Sequence, residues 1–382
     1  MNSKKRYFIT GGGTGGHIYP AMAVADVLKE MEDTEIFYVG NPNNLEYSIV
    51  QQKGYTFLPV YVKGMPRKIG FKFLWWGFKL VIAIIQSLFY LNKYKPDVIF
   101  GTGGYVSAPI MIASIIQGET PFMMHDCDAQ PGLVTRKLAP YAKRVSLAFE
   151  KAVEYIKNPN CSVNGNPLRP RFKTLSKGLA RAGLALDPKR PVILVMGGSQ
   201  GAKSIDDAFV EIIKELSKVN NIQIIFQTGK NNYMDVMDRL EQIYPNHHRD
   251  KNLIIRPYFE DMVSVLKSAD IVISRAGSLS LSEIFASDVA PVLIPYPHAA
   301  SDHQRRNAKF VEEKGACIYL EDEETNPNSL KAIINNLLED DELRLELVEN
   351  SSKLAQFEGL KNIIAQVVEI ANSEEKRTSD NG

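Results

Sequence analysis

Residues 7–17 read YFITGGGTGGH and residues 191–202 read PVILVMGGSQGA. Each is a short, continuously apolar run, the pattern of a strand buried on both faces, and each breaks into glycines before a helical period begins. A strand, a glycine-rich turn and a helix together open a Rossmann-like sheet, and the chain contains that opening twice. Outward from the first, strands are predicted at Tyr7–Thr10, Glu35–Val39, Thr56–Val60, Asp97–Phe100, Phe122–His125 and Val145–Ala148. From the second they are predicted at Pro191–Met196, Gln223–Thr228, Leu253–Arg256, Ile271–Ser274, Pro291–Pro295 and Ala316–Tyr319. Alternation with amphipathic helical stretches makes this an α/β chain with two parallel sheets. The cluster NGNPLRPR at Asn164–Arg171 continues neither element type and reads as a linker. The boundary therefore falls near Leu168, with an N-terminal domain over 1–168 and a C-terminal domain over 169–354. A last helical stretch, roughly Glu342–Ala371, is placed to pack back onto the first domain from about residue 355, and the polar tail 373–382 reads as disordered.

With 45% hydrophobic and 23% charged residues, the composition is that of a folded globular protein and excludes a disordered or fibrous one. A formal charge of +1 gives no support to nucleic acid as a partner. The charge is uneven: residues 1–168 hold 18 basic and 12 acidic side chains and the remainder 27 and 32, so the N-terminal half is the one suited to an anionic surface. Cys127, Cys161 and Cys317 form no CxxC pair and are odd in number, which points to neither a disulfide framework nor a zinc site. A reducing compartment fits, and MNSKKRYFIT at the start holds no apolar signal segment, so a cytoplasmic protein is expected.

Three loops share one design: Gly11–Gly16, Gly101–Gly104 and Gly197–Gly201. Glycine lets backbone approach a ligand closely, and the helix that follows offers unpaired N–H groups to phosphate or sugar oxygens. Tight strand-to-helix turns need glycine in any case, but three such loops favour a ligand. Residues 11–16 also satisfy GxGxxG. A dinucleotide site would want a carboxylate at the end of the second strand, where the chain reads Tyr38-Val39-Gly40-Asn41, so NAD is not expected; GxxxxGK[ST] is absent. His17 follows the first loop and is placed either to take a proton from a hydroxyl nucleophile or merely to bond backbone at a helix start. Ser278–Glu283 opens a helix after a strand: its serines suit a diphosphate and Glu283 a ribose diol, while Ser280-x-x-Glu283 equally matches a capping box. His298, Asp302 and His303 match no common metal-ligand spacing; Asp126-x-Asp128 resembles the DxD metal clamp of some sugar transferases, though so short a pattern arises easily by chance.

Residues 71–91, FKFLWWGFKLVIAIIQSLFYL, are long enough to span a bilayer, but Lys79 falls inside, Gly77 interrupts, and the stretch lies between two strands of one sheet. The reading is an interfacial segment flanked by Arg67, Lys68, Lys93 and Lys95; a core helix with exposed aromatics is the alternative.

GGGTGGHIYPAMAVA, GTGGYVSAP, GNPLR, GGSQGA, SRAGSLSLSE and HAASDHQRRNA occur in the order found in the MurG family, the UDP-N-acetylglucosamine:undecaprenyl-diphospho-muramoylpentapeptide N-acetylglucosaminyltransferases, which this chain resembles from about Arg6 to its final helix. The resemblance implies a GT-B fold, two Rossmann-like domains with parallel sheets facing a central cleft. It implies an inverting transfer of GlcNAc from UDP-GlcNAc to the muramoyl 4-hydroxyl of lipid I, giving lipid II, without metal or cofactor. It also implies a peripheral seat on the cytoplasmic membrane face and contact with other cell-wall and division proteins. Carried over by motif, donor contacts fall on Thr14, Gly15, Gly16, Arg169 and Ser199. Phe259 borders the uracil; Ser278, Leu279, Ser280, Leu281 and Ser282 wrap the diphosphate, Glu283 takes the ribose hydroxyls and Gln304 the sugar. The acceptor diphosphate is expected near the first two glycine loops, with His17 as the base.

One departure stands out. Where the family typically has His-Glu-Gln-Asn, this chain has His125-Asp-Cys-Asp128, so the amide expected at the donor sugar becomes an acceptor-only carboxylate, Asp128, when ionised. Two other readings remain open at this point: the same fold with another chemistry, such as a UDP-GlcNAc epimerase or a diacylglycerol glycosyltransferase, and a non-catalytic nucleotide-sugar-binding protein.

Overall fold

The computed structural model describes residues 4–66, 70–219, 222–299 and 302–380, and the chain divides into two units: residues 1–167 with 358–382, and residues 168–357. The first unit holds seven parallel strands, β1 (Lys5–Thr10), β2 (Thr34–Gly40), β3 (Thr56–Pro59), β4 (Val98–Gly101), β5 (Phe122–Asp126), β6 (Arg144–Leu147) and β7 (Cys161–Val163), in the order β3-β2-β1-β4-β5-β6-β7. The second holds six, β8 (Val192–Met196), β9 (Gln223–Gln227), β10 (Leu253–Arg256), β11 (Ile271–Ser274), β12 (Ala290–Leu293) and β13 (Ile318–Tyr319), in the order β10-β9-β8-β11-β12-β13. The three-residue β7, CSV, is half-exposed along its length and too short to give a period that sequence reading could detect.

Strand β1 shows why the sheet is buried on both sides. Tyr7 and Ile9 face one layer, with Ile18, Ala21 and Leu28 of the helix Gly15–Lys29, while Phe8 faces the other, with Leu91, Ile110 and Met111. Alternate side chains of one strand thus feed two cores. The order reverses between β1 and β4, where Thr10 pairs with Gly101, and between β8 and β11, where Met196 pairs with Ser274. At each reversal the two following loops diverge to opposite faces and leave a crevice at the carboxyl ends of the strands, the place where open α/β sheets hold ligands. All three glycine loops lie at these two points.

The helical stretch expected at Glu342–Ala371 is two helices, Asp341–Ser352 and Gly359–Asp380. The break leads to Gly359, where a Cβ would stand 2.6 Å from the Asn164 carbonyl oxygen. The second helix lays Ile363, Ile364, Val367 and Ala371 on the core of the first unit, and Lys5 Nζ donates to the Ala371 carbonyl at 3.2 Å. It continues to Asp380, into the tail that composition marks as disordered; the run SEEKRTSD is rich in residues of adequate helix propensity and extends a helix already anchored. Residues 381 and 382 lie outside the described residues.

The stretch after β3 forms one helix, Phe71–Tyr94, that runs through Gly77, where a Cβ would meet nothing within 4 Å. Among the described residues it is the helix long and apolar enough to cross a membrane by length and composition. Ala83, Ser87, Tyr90 and Leu91 are its buried side, and Tyr90 Oη donates to the Pro59 carbonyl at 3.0 Å. Phe71, Leu74, Trp75, Phe78, Ile85 and Phe89 are exposed. The flanking Arg67 and Lys68 lie outside the described residues.

Candidate active site

The site residues fall into two groups, one on each unit. On the first unit, Thr14 is the N-cap of the helix Gly15–Lys29 and makes no side-chain cap bond, so the helix start presents backbone N–H groups at the crevice. His17 is the third residue of that helix. Its Nδ1 lies 2.8 Å from the Thr102 carbonyl oxygen, which requires a proton on Nδ1 and leaves the lone pair on Nε2. The Thr102 hydroxyl in turn donates to the His17 carbonyl at 2.6 Å, tying the first glycine loop to the second. A Cβ on Gly104 would stand 3.1 Å from His17 Cδ2, so glycine is required for the ring to rest there.

Pro20 stands inside the same helix and has no N–H to offer the Gly16 carbonyl four residues earlier. The Cys127 thiol donates to that carbonyl at 3.1 Å and lies 4.0 Å from His17 Nδ1. A thiol thus takes a donor role at the position where the resembled family has an amide. Asp126 is buried at the end of β5: Oδ1 accepts from Asp128 N–H at 3.2 Å and Oδ2 from Gly132 N–H at 3.1 Å. Burial, then the nearby Asp128 charge, push the Asp126 carboxyl above the usual carboxylate range. Both of its oxygens thus accept from backbone within the turn 126–132. No group of three or more His, Cys, Asp or Glu side chains placed to hold a metal occurs among the described residues.

On the second unit, the loop Gly197–Gly201 passes into the helix Lys203–Val219 with Gly198 and Gly201 at φ of +86° and +94°. Ser199 is exposed on it, and its carbonyl accepts from Lys230 N–H at 3.2 Å. Phe259, half-buried after β10, is fixed by its N–H on Gln227 Oε1 at 3.0 Å. The helix after β11 is Ser278–Phe285, with Gly277 as N-cap and no side-chain cap bond. The capping-box alternative therefore falls: Ser280 is already inside the helix, and Glu283 pairs with Arg169 at 2.7 Å. Burial raises the Glu283 carboxyl and the Arg169 guanidinium counters it. Ser278, Leu279, Ser280 and Ser282 turn along this helix start, whereas the Leu281 side chain is wholly in the core, which leaves only its backbone for a ligand.

Gln304, on the helix His303–Glu313, accepts from Tyr296 N–H at 3.0 Å through Oε1, which orients Nε2 as the donor. Residues 300 and 301 of the same motif lie outside the described residues. Sequence reading missed Arg275: buried after β11, it donates to the Ile294 and Pro295 carbonyls and to Asp322, and so carries the loop that holds Tyr296.

Residues 7–147 match the glycosyltransferase family 28 N-terminal domain and residues 192–367 its C-terminal domain. Fold and site thus define a family 28 glycosyltransferase of the GT-B class. The chain is 37% identical over 94% of its length to the UDP-N-acetylglucosamine–N-acetylmuramyl-(pentapeptide) pyrophosphoryl-undecaprenol N-acetylglucosamine transferase of Halothermothrix orenii, covering 97% of that protein. To the protein of the same name from Clostridioides difficile it is 34% identical, covering 98% of this chain and 91% of the relative. The crystal structure of Acinetobacter baumannii MurG superposes with a TM-score of 0.76 at 25% identity over 96% of this chain and 99% of the other. A UDP-GlcNAc 2-epimerase from Neisseria meningitidis, at TM-score 0.63 and 12% identity over 96% and 100%, shares the fold alone. The chain belongs to the family of these pyrophosphoryl-undecaprenol N-acetylglucosamine transferases.

Proposed function

We propose that this chain moves N-acetylglucosamine from UDP-N-acetylglucosamine to the muramoyl 4-hydroxyl of lipid I, forming lipid II for peptidoglycan. The observation that carries the reading is the likeness, through nearly the whole of both chains, to relatives named for this transfer. In this reading the second unit takes the donor: Phe259 borders the uracil, Glu283 accepts the ribose hydroxyls beside Arg169, and Ser199 and Ser278–Ser282 receive the diphosphate. Gln304 Nε2 donates to the sugar. On the first unit, Thr14, Gly15, Gly16 and Asp128 contribute to sugar binding, and the acceptor meets His17.

The acceptor 4-oxygen forms its bond to the anomeric carbon as the bond from that carbon to the UDP oxygen breaks, from the opposite face, so the centre inverts. The hydroxyl proton passes to His17 Nε2, which the Thr102 carbonyl keeps free to accept it. Helix-start N–H groups stabilise the charge that develops on the departing diphosphate. The exposed apolar side of Phe71–Tyr94, with Lys72, Lys79 and Lys93 along it, supports a peripheral seat at the cytoplasmic membrane face, where the lipid-linked acceptor is presented.

Incubation of the purified chain with radiolabelled UDP-GlcNAc, a lipid I analogue and EDTA tests this. Label is expected in lipid II. Recovery only as epimerised donor or as glycosylated diacylglycerol refutes it, and a chain that binds donor without turnover restores the non-catalytic reading.

A further inference from the structure

At the end of β2 the chain turns through Asn41–Asn44 into the helix Leu45–Gln52, and Glu46, its second residue, directs its side chain back beneath the first glycine loop. The carboxylate is fully buried. Its Oε2 accepts from Gly13 N–H at 3.2 Å, and its Oε1 accepts from Asn41 N–H at 3.2 Å and from Asn44 Nδ2 at 3.1 Å. A buried carboxylate persists where N–H donors replace its water, and here three do so. The Gly13 N–H is thereby committed to an internal anion.

The same carboxylate reaches the second loop. Asn44 Nδ2 also donates to Tyr105 Oη at 2.9 Å, and Tyr105 directly follows Gly101–Gly104. Its ring covers the first loop, since a Cβ on Gly13 would stand 3.0 Å from Tyr105 Cε1. A Cβ on Gly12 would stand 2.4 Å from Glu46 Oε1, and one on Gly104 would stand 2.9 Å from the Gly12 carbonyl oxygen. Burial and the Glu46 charge hold the Tyr38 phenol protonated, and it donates to the Gly11 carbonyl at 2.5 Å. One carboxylate therefore joins the end of β2, the first glycine loop and, through Asn44 and Tyr105, the second. His17 rests on the surface these contacts fix.

A carboxylate buried for stability alone would be replaceable by an apolar side chain of the same volume, whereas one that receives three converging N–H groups fixes geometry. We propose that Glu46 is a positioning residue of the acceptor half-site, setting the spacing of the two glycine loops and so holding His17 Nε2 where the acceptor hydroxyl arrives. The inference rests on the transferase reading above and on His17 as its base.

The test is steady-state kinetics of Glu46→Gln, Asn44→Ala and His17→Ala, and of each of the first two combined with the third. An amide in place of the carboxylate turns an NH2 toward at least one N–H donor and displaces the loop. For Glu46→Gln, kcat is expected to fall about 10- to 100-fold, the scale of a misplacement near one ångström, with KM for UDP-GlcNAc within about twofold of wild type. Asn44→Ala, at a half-exposed position, is expected to lose about three- to tenfold in kcat. Neither is expected to lower the residual turnover of His17→Ala further, because a positioning residue then has nothing to position. Wild-type kcat in folded Glu46→Gln, or losses that add in full to that of His17→Ala, overturn the proposal. Undiminished turnover in His17→Ala removes the base itself and the proposal with it. If Glu46→Gln does not fold, Asn44→Ala and its double variant decide by the same criteria.

Discussion

The Arg169 guanidinium stands 2.7 Å from the Glu283 carboxylate across 114 residues of chain, and it also lies over the Phe172 ring at 5.5 Å. The contact opposes what burial does to Glu283 and favours its ionised form, the one that the proposed ribose contact requires as acceptor. Removing the guanidinium in Arg169→Ala lets burial act unopposed, so the carboxyl protonates at higher pH. KM for UDP-GlcNAc is expected to rise about 10- to 100-fold, the value of a charge-assisted hydrogen bond. The sign of the pH effect follows: protonation removes an acceptor as pH falls, so the ratio of variant to wild-type KM should grow as pH is lowered through the range in which the protein is active. Measuring KM across that range decides the matter, and a constant ratio would show that Arg169 acts independently of the Glu283 charge.

Much of this was legible in the chain itself, for a physical reason. Buried parallel strands have to be continuously apolar, and the turns after β1, β4 and β8 have to be glycine, so both sheets and all three loops leave a local mark. Contacts that join distant segments leave none. Glu46 reads as an ordinary first-turn acid on a helix, the residue type that macrodipoles favour, and only the fold reveals that it turns inward. Ser280-x-x-Glu283 shows the opposite failure: a correct local pattern that loses to an ion pair supplied from the linker. The Cys127 thiol bonded to Gly16 becomes intelligible only when Pro20, in the next turn, is seen to leave that carbonyl unpaired.

Asp128 carries the charge that the resembled family's amide lacks. Its N–H is fixed on Asp126, and its carboxyl is near enough to help raise that neighbour. A carboxylate facing a sugar can only accept, whereas an amide also donates. Asp128→Asn restores a donor and removes a negative charge. KM for UDP-GlcNAc is expected to fall about three- to tenfold, one ordinary hydrogen bond. A KM that rises instead would mean that the carboxylate is matched to a donor hydroxyl in this protein.

His125 is wholly buried, with Nδ1 3.0 Å from Ser146 Oγ and Nε2 3.1 Å from Asn166 Oδ1. Asn164 Nδ2 donates to the same serine oxygen at 3.0 Å, so the chain of donors runs from amide to hydroxyl to a neutral imidazole and on to Asn166. Burial pushes this histidine down to about 4 from 6.5. Stability is therefore complete above pH 6.5 and is lost as pH falls toward 4, where the unfolded chain binds a proton that the folded one refuses; the full loss is about 3 kcal/mol. The two tryptophans, Trp75 and Trp76, both belong to the first unit, so their fluorescence during urea unfolding reports that unit alone. Wild type should lose stability over this window by more than His125→Gln, whose amide does not titrate; parallel profiles would place the acid sensitivity elsewhere.

The apolar side of Phe71–Tyr94 makes a separable prediction, because neighbouring tryptophans on it do different work. Trp76 donates from Nε1 to the Lys63 carbonyl at 2.8 Å and so holds the loop after β3. Trp75 is 53% exposed and Phe78 56%, their rings stacked at 5.6 Å with Lys79 Nζ 5.5 Å from the Trp75 ring, and they leave the buried side at Ala83, Ser87, Tyr90 and Leu91 untouched. An aromatic pair with one ammonium group over it suits the boundary between acyl chains and anionic headgroups. Each ring contributes about 1.5–3 kcal/mol when fully withdrawn from water, so Trp75→Ser with Phe78→Ser should weaken cosedimentation with anionic vesicles by at least about tenfold, even for partial insertion. Turnover of a water-soluble acceptor should stay unchanged while turnover of a vesicle-embedded one falls, since the substitutions remove the seat and leave His17 and its loops in place. If the double variant still pellets with vesicles as wild type does, the exposed rings are not what meets the lipid, and the basic side chains alone would have to account for any attachment.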